Sequence, residues 1–294
     1  MSYYTPFQPT AEVVAHSVHG STELVSVLMT YPRFIHPQML RHRSFAHSAQ
    51  SSRAVSLKRS IAWLEEHGPV MPIFTREQKG MQEGAAFTER DTQLMYATRY
   101  WAAAANHAVL HANDMADHNV HHSVCNRILE PFLPIAHLMT GTRDGWQYLL
   151  RLRLDAHADV HAQALARAID AALAASEAQP TTLHLPFDGP ADAIHCRSDR
   201  MLLSISRCAR ISYLNYDGPT EPEKEWPFVR RLWESEHYSP FEHIAQGGFK
   251  FADVGGSPPR QIFQPDWVSA RHSAVIDTFI DEHDEHEPIT FQST

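Results

Sequence analysis

The densest group of chemically active side chains in the sequence lies between Arg41 and Arg53. These thirteen residues include three arginines, two histidines and four serines, but neither lysine nor any acidic residue. Guanidinium groups bind phosphate oxygens in pairs, and hydroxyl and imidazole groups can bond the remaining oxygens. The composition therefore indicates a site for a phosphate-bearing ligand. A basic surface patch without a ligand is the alternative, and composition alone leaves it open.

Arg153 is a second candidate because it falls in a stripe of apolar residues. Residues 144–175 have the pattern of one long helix, in which side chains three or four positions apart share the core-facing side. A cation in such a stripe needs a partner, because burying an unpaired charge is unfavourable. The partner could be an anionic ligand or a carboxylate of the same chain, or the side chain could reach solvent. The stripe comprises Trp146, Leu149, Leu150, Arg153, His157, Val160 and Ala164.

Histidines and aspartates in the same predicted helix have a spacing that suits a metal ion. His157 and His161 are four residues apart, so both imidazoles could bind one cation, with Asp155 and Asp159 as oxygen ligands. Catalytic zinc helices usually carry glutamate after the first histidine, where this chain has Ala158. We assign no metal ligand, and we keep a metal-dependent hydrolase as an alternative.

Other common catalytic patterns are missing from the sequence. There is no Gly-x-Ser-x-Gly nucleophile motif and no glycine-rich phosphate loop. Cys125, Cys196 and Cys208 are far apart and form no CxxC pair, so neither disulfides nor a cysteine zinc site is indicated. Any phosphate group must therefore be held by side chains.

Length and charge restrict the class of protein. The 294 residues carry a net charge of −9 and 43% hydrophobic side chains, enough for a large buried core. The negative charge argues against a nucleic-acid polymer as partner and favours a small anion in a local basic pocket. No apolar run is long enough to span a membrane, and the N-terminus lacks the pattern of a secretion signal. We therefore expect a cytoplasmic protein.

Hydrophobic periodicity and the placement of Pro, Gly and Ser predict the secondary structure. We expect a single domain over residues 1–294, with an internal linker at 176–200 and a solvated acidic tail at 281–294. The predicted strands are residues 24–29, 70–74 and 202–206, the predicted helices are 38–43, 54–66, 88–119, 121–129, 144–175 and 223–236, and a loop is predicted at 48–52.

Several short motifs, taken together, resemble the flavin-dependent thymidylate synthases. Arg41-His42-Arg43, followed after seven residues by Ser51, is similar to the RHR-x7-S motif of that family. Further similar elements lie between residues 38 and 243: Gln38, Arg53, Arg127 within Asn126–Pro131, the helical stretch Leu150–Ala158, Ala209–Ser212 and His237–His243.

The resemblance implies reductive methylation at C5 of a uracil nucleotide. Methylenetetrahydrofolate would supply the carbon, FAD would be the redox cofactor and NADPH the reductant. Arg153 would be catalytic and would also contact the substrate, because a guanidinium beside the uracil carbonyl stabilises the negative charge that makes C5 nucleophilic. FAD would be bound by Arg41, His42, Arg43, His237 and Ser239, and the nucleotide phosphate and sugar by Gln38, Ser51, Arg53 and Arg127.

The resemblance also implies an α+β fold, with an antiparallel sheet flanked by helices, and a homotetramer with shared active sites. In the usual family order the last two motifs precede RHR, whereas here they follow it, which resembles a circularly rearranged branch. Ser48, Ala49 and Ala54 depart from the family at positions around the nucleotide. A relative that methylates UMP, as in nucleoside-antibiotic pathways, is therefore considered beside one that methylates dUMP. A non-catalytic protein that binds a phosphorylated ligand is the second alternative.

Overall fold

The computed structural model describes residues 4–80, 82–213, 218–248, 263 and 266–272. Within these ranges the chain has an α+β architecture, with a five-stranded sheet, a three-stranded sheet and eight α-helices. The predicted tail, residues 281–294, lies outside the described residues. None of the described helices has both the length and the apolar character that a membrane-spanning segment needs.

The five-stranded sheet has the strand order β3-β4-β2-β1-β5. Three strand pairs are antiparallel, but β5 runs parallel to β1, so the sheet is mixed and not the antiparallel sheet that was predicted. A parallel pair requires a long crossover connection, and two helices precede β5 along the chain. The strands are β1 Thr10–His19, β2 Thr22–Pro32, β3 Ala46–Ala49, β4 Pro134–Thr142 and β5 Gln179–Pro180.

The smaller sheet is antiparallel and has the order β6-β7-β8. Its strands are β6 Leu183–His184, β7 Ala245–Gly247 and β8 Trp267–Ser269. The segment predicted as a linker, residues 176–200, contains both β5 and β6, followed by a 3-10 turn at Pro190–Ile194. This segment therefore connects the two sheets.

The helices confirm the main predicted helical segments. Those expected at 54–66, 88–119 and 223–236 correspond to α2, α3 and α8, and the strand expected at 24–29 lies within β2. The helices are α1 His36–Met39, α2 Leu57–His67, α3 Thr92–Asp117, α4 His122–Cys125, α5 Arg143–Arg153, α6 Val160–Ala174, α7 Arg197–Ala209 and α8 Pro222–Glu234.

The single long helix predicted over 144–175 is wrong, because the chain forms two helices there. Helix α5 ends at Arg153 and α6 begins at Val160. Asp159 caps α6: its side chain accepts hydrogen bonds from the backbone N–H groups of His161 and Ala162. His157 consequently lies in the connection between the helices and not on the apolar stripe.

Two predicted strands are also wrong. Residues 202–206 lie inside α7, where Met201–Cys208 are all buried. Their alternation of apolar and serine residues covers only five positions, which is too short to distinguish a strand from a buried helix. Residues 70–74 form no strand, because their backbone N–H groups donate to separate acceptors and not to one neighbouring strand. Val70 N–H donates to the Phe132 carbonyl and Ile73 N–H to an imidazole nitrogen of His161.

Three shorter predictions were right in place but not in extent. Helix α1 ends at Met39, so Arg41 and Arg43 lie in a turn and not in the predicted helix 38–43. The helix predicted at 121–129 is the short α4 followed by a 3-10 turn at Asn126–Ile128. The predicted loop 48–52 begins after β3, which extends to Ala49.

Helices cover both faces of the five-stranded sheet. Because side chains alternate along β2, Val25, Val27 and Met29 pack with Trp146 of α5 and residues of α6 on one face. Leu28 points to the other face and packs with α7, α8 and the segment leading to β7. A third cluster joins α2, α3 and α4. The core therefore holds the C-terminal end of α5, with Arg153, against the turn after α1.

Candidate functional site

Arg153, the last residue of α5, contacts two other residues that the motifs predict to be functional. Its Nε donates to His42 Nε2 at 3.1 Å, its Nη1 to Gln38 Oε1 at 3.3 Å and its Nη2 to the Gln38 backbone oxygen at 3.0 Å. Three residues that are far apart in the sequence thus form one hydrogen-bonded group at the end of α5.

The positive charge of Arg153 is not neutralised by direct contact. Burial lowers the pKa of its guanidinium, Asp159 raises it and Arg41 lowers it further. Among the residues that the structure describes, no carboxylate forms an ion pair with Arg153, and its hydrogen-bond acceptors are neutral. Of the partners considered from the sequence, a carboxylate in direct contact with Arg153 is therefore not found among the described residues. The positive charge of Arg153 is thus available to act on a ligand.

Arg41 and Arg43 are exposed in the turn after α1. Their guanidinium groups make no hydrogen bond or ion pair within the described ranges. Arg41 is near enough to Arg153 to disfavour its charge, so the two cations meet at this end of the molecule. Two cations at one end of the molecule suit a phosphate-bearing ligand.

A pocket of about 510 Å³ lies between β3 and the 3-10 turn Ser239–His243, and we call it the β3 pocket. Four predicted site residues line it: Ser51 and Arg53 on one side, His237 and Ser239 on the other. The volume falls in the range of roughly 300–1,000 Å³ that is usual for small-molecule sites. The other lining residues are His47, Ser48, Ala49, Ala54, Cys208, Ala209, Ile211, Ser212, Tyr213, Phe228, Leu232 and Pro240.

The Ala209–Ser212 motif reaches the same pocket. Ser212 Oγ accepts a hydrogen bond from the backbone N–H of Ser51 at 3.1 Å. Arg210 does not face a free anion site, since it forms an ion pair with Glu225 at 2.7 Å. The motif therefore supports the backbone of the serine-rich segment through its hydroxyl group.

A second pocket, of about 350 Å³, contains Arg127 and shares Ser51 with the first; we call it the Arg33 pocket. Arg33 and Arg127 each lie 3.7 Å from the same carboxylate oxygen of Glu130, which leaves the local charge positive. His36 also lines this pocket. The motifs did not indicate Arg33. The one signal in the sequence is its position, directly after the Tyr-Pro pair that ends β2.

A chain of hydrogen bonds connects the two pockets through the core. His47 Nε2 lies 3.0 Å from the backbone oxygen of His42, and His47 Nδ1 lies 3.1 Å from His137 Nε2. His137 Nδ1 is 2.7 Å from the Tyr31 hydroxyl, which is 2.8 Å from His36 Nδ1. His47 lines the β3 pocket and His36 the Arg33 pocket.

The His42 carbonyl fixes the position of each shared proton in this series of hydrogen bonds. Burial lowers the pKa values of His36 (to about 4), His47 and His137, so all three are neutral at pH 7. A carbonyl only accepts, so His47 donates through Nε2, and its Nδ1 accepts from His137. Tyr31 then donates to His137 and accepts from His36. His36 Nε2 is left as a hydrogen-bond acceptor.

The histidine pair considered for a metal does not form. His157 is exposed and bonded to Asp155, whereas His161 lies close to Asp159 and Glu83. His161 Nε2 accepts the Ile73 N–H at 2.8 Å, and Nδ1 lies 3.3 Å from Asp159. Glu83, Asp159 and His161 have ligand atoms within 4.8 Å of one another, but His157 is not among them. The two-histidine site of the metal-dependent hydrolase is therefore not formed.

Comparison with known proteins adds two structures to this description. The chain is similar to the UMP/dUMP methylase PolB from Streptomyces cacaoi, solved with 5-Br dUMP (15% identity, TM-score 0.46) and with 5-Br UMP (16% identity, TM-score 0.46). The alignments cover 57% and 56% of this chain and 91% and 88% of the PolB chains. No family model matches the sequence, and none of the curated proteins matches it.

Proposed function

We propose that the protein methylates C5 of a uracil nucleotide, dUMP or UMP, in a flavin-dependent reaction. The observation that supports this most directly is the hydrogen-bonded group of Arg153, Gln38 and His42. These residues belong to separate motifs of the resemblance, and they meet around a cation that lacks an anionic partner. We also propose that the order of motifs in this chain, with Arg41–Arg43 before Ala209–Ser212 and His237–His243, is a circular rearrangement of the usual family order.

Arg153 is the catalytic residue in this proposal. Its guanidinium lies beside a uracil carbonyl and stabilises the anionic form of the ring, which makes C5 nucleophilic toward the carbon donor. A fixed cation in a partly water-excluded site contributes roughly 3 kcal/mol or more to such a step. His42 and Gln38 hold the guanidinium plane, so little reorganisation accompanies the reaction.

The remaining motif residues bind the reactants. Ser51, Arg53 and Arg127 hold the nucleotide phosphate through hydroxyl and guanidinium donors, and Gln38 contacts the sugar. FAD supplies the reducing equivalents when bound, NADPH restores them, and methylenetetrahydrofolate is the carbon donor. The residues that hold FAD are Arg41, His42, Arg43, His237 and Ser239.

A homotetramer with shared sites is part of the proposal. Large apolar side chains are exposed around Arg153, which is the feature expected of a surface that another subunit covers. Arg41 lies near Arg153, so a second subunit there would help to enclose the cofactor. The exposed side chains are Leu40, Tyr148, Leu152 and Leu154.

The Arg153→Ala variant tests the proposal. It should lower methylation of UMP and dUMP by about 100-fold or more, because it removes the stabilising cation. Its flavin content, measured by absorbance of the purified protein, should remain near that of the wild type. The assay incubates the flavoprotein with nucleotide, methylenetetrahydrofolate and NADPH and identifies products by mass spectrometry.

Arg167→Ala is the matched control on the neighbouring helix α6. Arg167 is exposed and donates to Gln163 Oε1, so its removal should leave methylation within about threefold of the wild type. Near-full methylation by Arg153→Ala would refute the assigned role. Tight binding of UMP by the wild type without turnover would instead favour the non-catalytic phosphate-ligand protein, which the two hydroxyl- and arginine-lined pockets also suit.

A further inference from the structure

The side chain of Asp159 performs two separate tasks with its two oxygens. Oδ1 accepts the backbone N–H groups of His161 at 2.9 Å and Ala162 at 3.1 Å, which caps α6. Oδ2 accepts Gln38 Nε2 at 3.1 Å. Burial raises the pKa of this carboxyl, but hydrogen bonds from His161, Ala162 and Gln38 outweigh burial and bring it to about 2. The group is therefore an acceptor at every physiological pH.

An ionised carboxylate determines the orientation of the Gln38 amide. The amide has a donor end and an acceptor end, and Asp159 can receive only the donor. Gln38 Oε1 is consequently turned toward Arg153 Nη1, which donates to it at 3.3 Å. The negative charge of Asp159 thus determines which end of the Gln38 amide faces the Arg153 guanidinium.

The same arrangement keeps the charge of Arg153 available. Asp159 favours the charged guanidinium electrostatically, but Gln38 stands between the two groups and prevents direct pairing. A carboxylate in direct contact would neutralise the cation that the reaction requires, whereas one amide away it only holds the cation in place.

We propose that Asp159 is a positioning residue that orients Arg153 through the Gln38 amide, an inference that rests on the function proposed above. Helix capping alone would not require the second oxygen to bond Gln38. Since Arg153 stabilises the activated, anionic form of the ring more than the neutral bound nucleotide, a misaligned guanidinium should reduce turnover more than nucleotide binding.

The Asp159→Asn variant separates the two tasks, because asparagine caps helices about as well as aspartate. If its amide oxygen keeps the cap, its nitrogen faces Gln38, and the Gln38 amide must turn its own nitrogen toward Arg153. We expect kcat to fall by about 10- to 100-fold, the range expected when a buried hydrogen bond to a charged group is lost. The nucleotide KM should change by less than about threefold, and the melting temperature should stay near that of the wild type.

Combining Asp159→Asn with Gln38→Leu tests the orientation directly. Without the Gln38 amide, Asp159 has no hydrogen-bonded connection to Arg153, so Asp159→Asn should cost little further activity in that background. The double variant should therefore lose less activity than the product of the two single losses predicts. Asp159→Ala serves as the comparison, because it removes the cap as well and should lower the melting temperature.

Four outcomes decide the inference. A drop in kcat for Asp159→Asn at unchanged melting temperature, with a less than multiplicative loss in the double variant, supports it. Wild-type kcat in Asp159→Asn, or strictly multiplicative losses in the double variant, overturns it and leaves the proposed function intact. If the wild-type flavoprotein itself fails to methylate UMP and dUMP, the proposed function fails and this inference fails with it.

Discussion

The backbone carbonyl of His42 illustrates how one acceptor sets the chemistry of several buried side chains. Because it fixes the tautomer of His47, it also fixes the direction of the hydrogen bonds of His137, Tyr31 and His36. Each of these hydrogen bonds joins neutral groups, so the series persists only while all three imidazoles remain neutral. This accounts for several of the 21 histidines of the chain without assigning them to a metal.

Tyr31→Phe should break this chain at its most buried link. The variant leaves His137 Nδ1 without a donor and His36 Nδ1 without an acceptor, and an unsatisfied buried polar group costs about 1–3 kcal/mol. We expect the free energy of unfolding, measured in urea at neutral pH, to fall by about that amount.

The control for this change is Tyr100→Phe, since Tyr100 is 69% exposed on α3. Its unfolding free energy should stay within about 0.5 kcal/mol of the wild type. Equal stability of the Tyr31 and Tyr100 variants would mean that the hydrogen-bonded chain contributes nothing to folding.

At the scale of elements, a buried ion pair anchors α7 to the turn that precedes it. Arg207 Nη1 and Nη2 lie 2.6 and 2.9 Å from the two carboxylate oxygens of Asp192, and both side chains are almost fully buried. The guanidinium also donates to the backbone oxygens of Phe187 and Pro219. The hydrogen bond from Arg207 is the main reason that the pKa of Asp192 is lowered. The segment predicted as a linker is therefore fixed to the core.

Asp192→Ala should destabilise the protein strongly, because it leaves the Arg207 charge buried with only carbonyl partners. Breaking a buried pair in this way costs about 3–5 kcal/mol, and urea unfolding would show it. Adding Arg207→Met should restore much of the loss, since an apolar replacement removes the unpaired charge.

Lys224→Ala gives the matched surface comparison. Lys224 pairs with Glu221 at 2.7 Å, but both side chains are more than half exposed, so the loss should be about 1 kcal/mol or less. If the Asp192 and Lys224 variants lost equal stability, the buried pair would not be the anchor of this element.

At the scale of the whole molecule, a second buried polar chain joins the two sheets. Ser17 and Ser26 of the larger sheet bond the two nitrogens of His184, each at 2.8 Å, and Thr140 bonds His243 Nδ1 at 2.8 Å. Burial, assisted by neighbouring histidines, lowers the pKa values of His184 and His243 to about 3. Both rings are therefore neutral in the folded protein at neutral pH.

The stability of the molecule should accordingly fall as the pH falls below about 6.5. An unfolded histidine titrates near pH 6.5, so between there and the lowered native pKa the unfolded chain binds more protons and is favoured. Each such histidine reduces the free energy of unfolding by about 1.4 kcal/mol per pH unit in that window. Urea unfolding at about pH 7.5 and about pH 5 measures the slope.

His184→Gln identifies the source of this slope. Glutamine can replace part of the hydrogen bonding but does not titrate, so the variant should lose stability less steeply with falling pH, by about 1.4 kcal/mol per unit. An unfolding free energy that is constant over this range in the wild type would contradict the assignment of neutral buried histidines.

The sequence alone determined which side chains are candidates for the site and much of the helical structure. Composition identified Arg41–Arg53 as a donor-rich segment, periodicity placed α2, α3 and α8, and the motifs included Gln38, His42 and Arg153 among the candidate residues. These properties depend on residue type and on neighbours within one or two turns, which a pattern can record.

Only the tertiary structure decided which groups meet. Arg153 and Gln38 are 115 positions apart, Gln38 and Asp159 are 121 apart, and Tyr31 and His137 are 106 apart. Their hydrogen bonds fix the charge of Arg153, the amide of Gln38 and the protons of the buried histidines. No local pattern contains that information, because each buried polar group is satisfied by whichever distant partner the packing of sheet and helices brings within bonding distance.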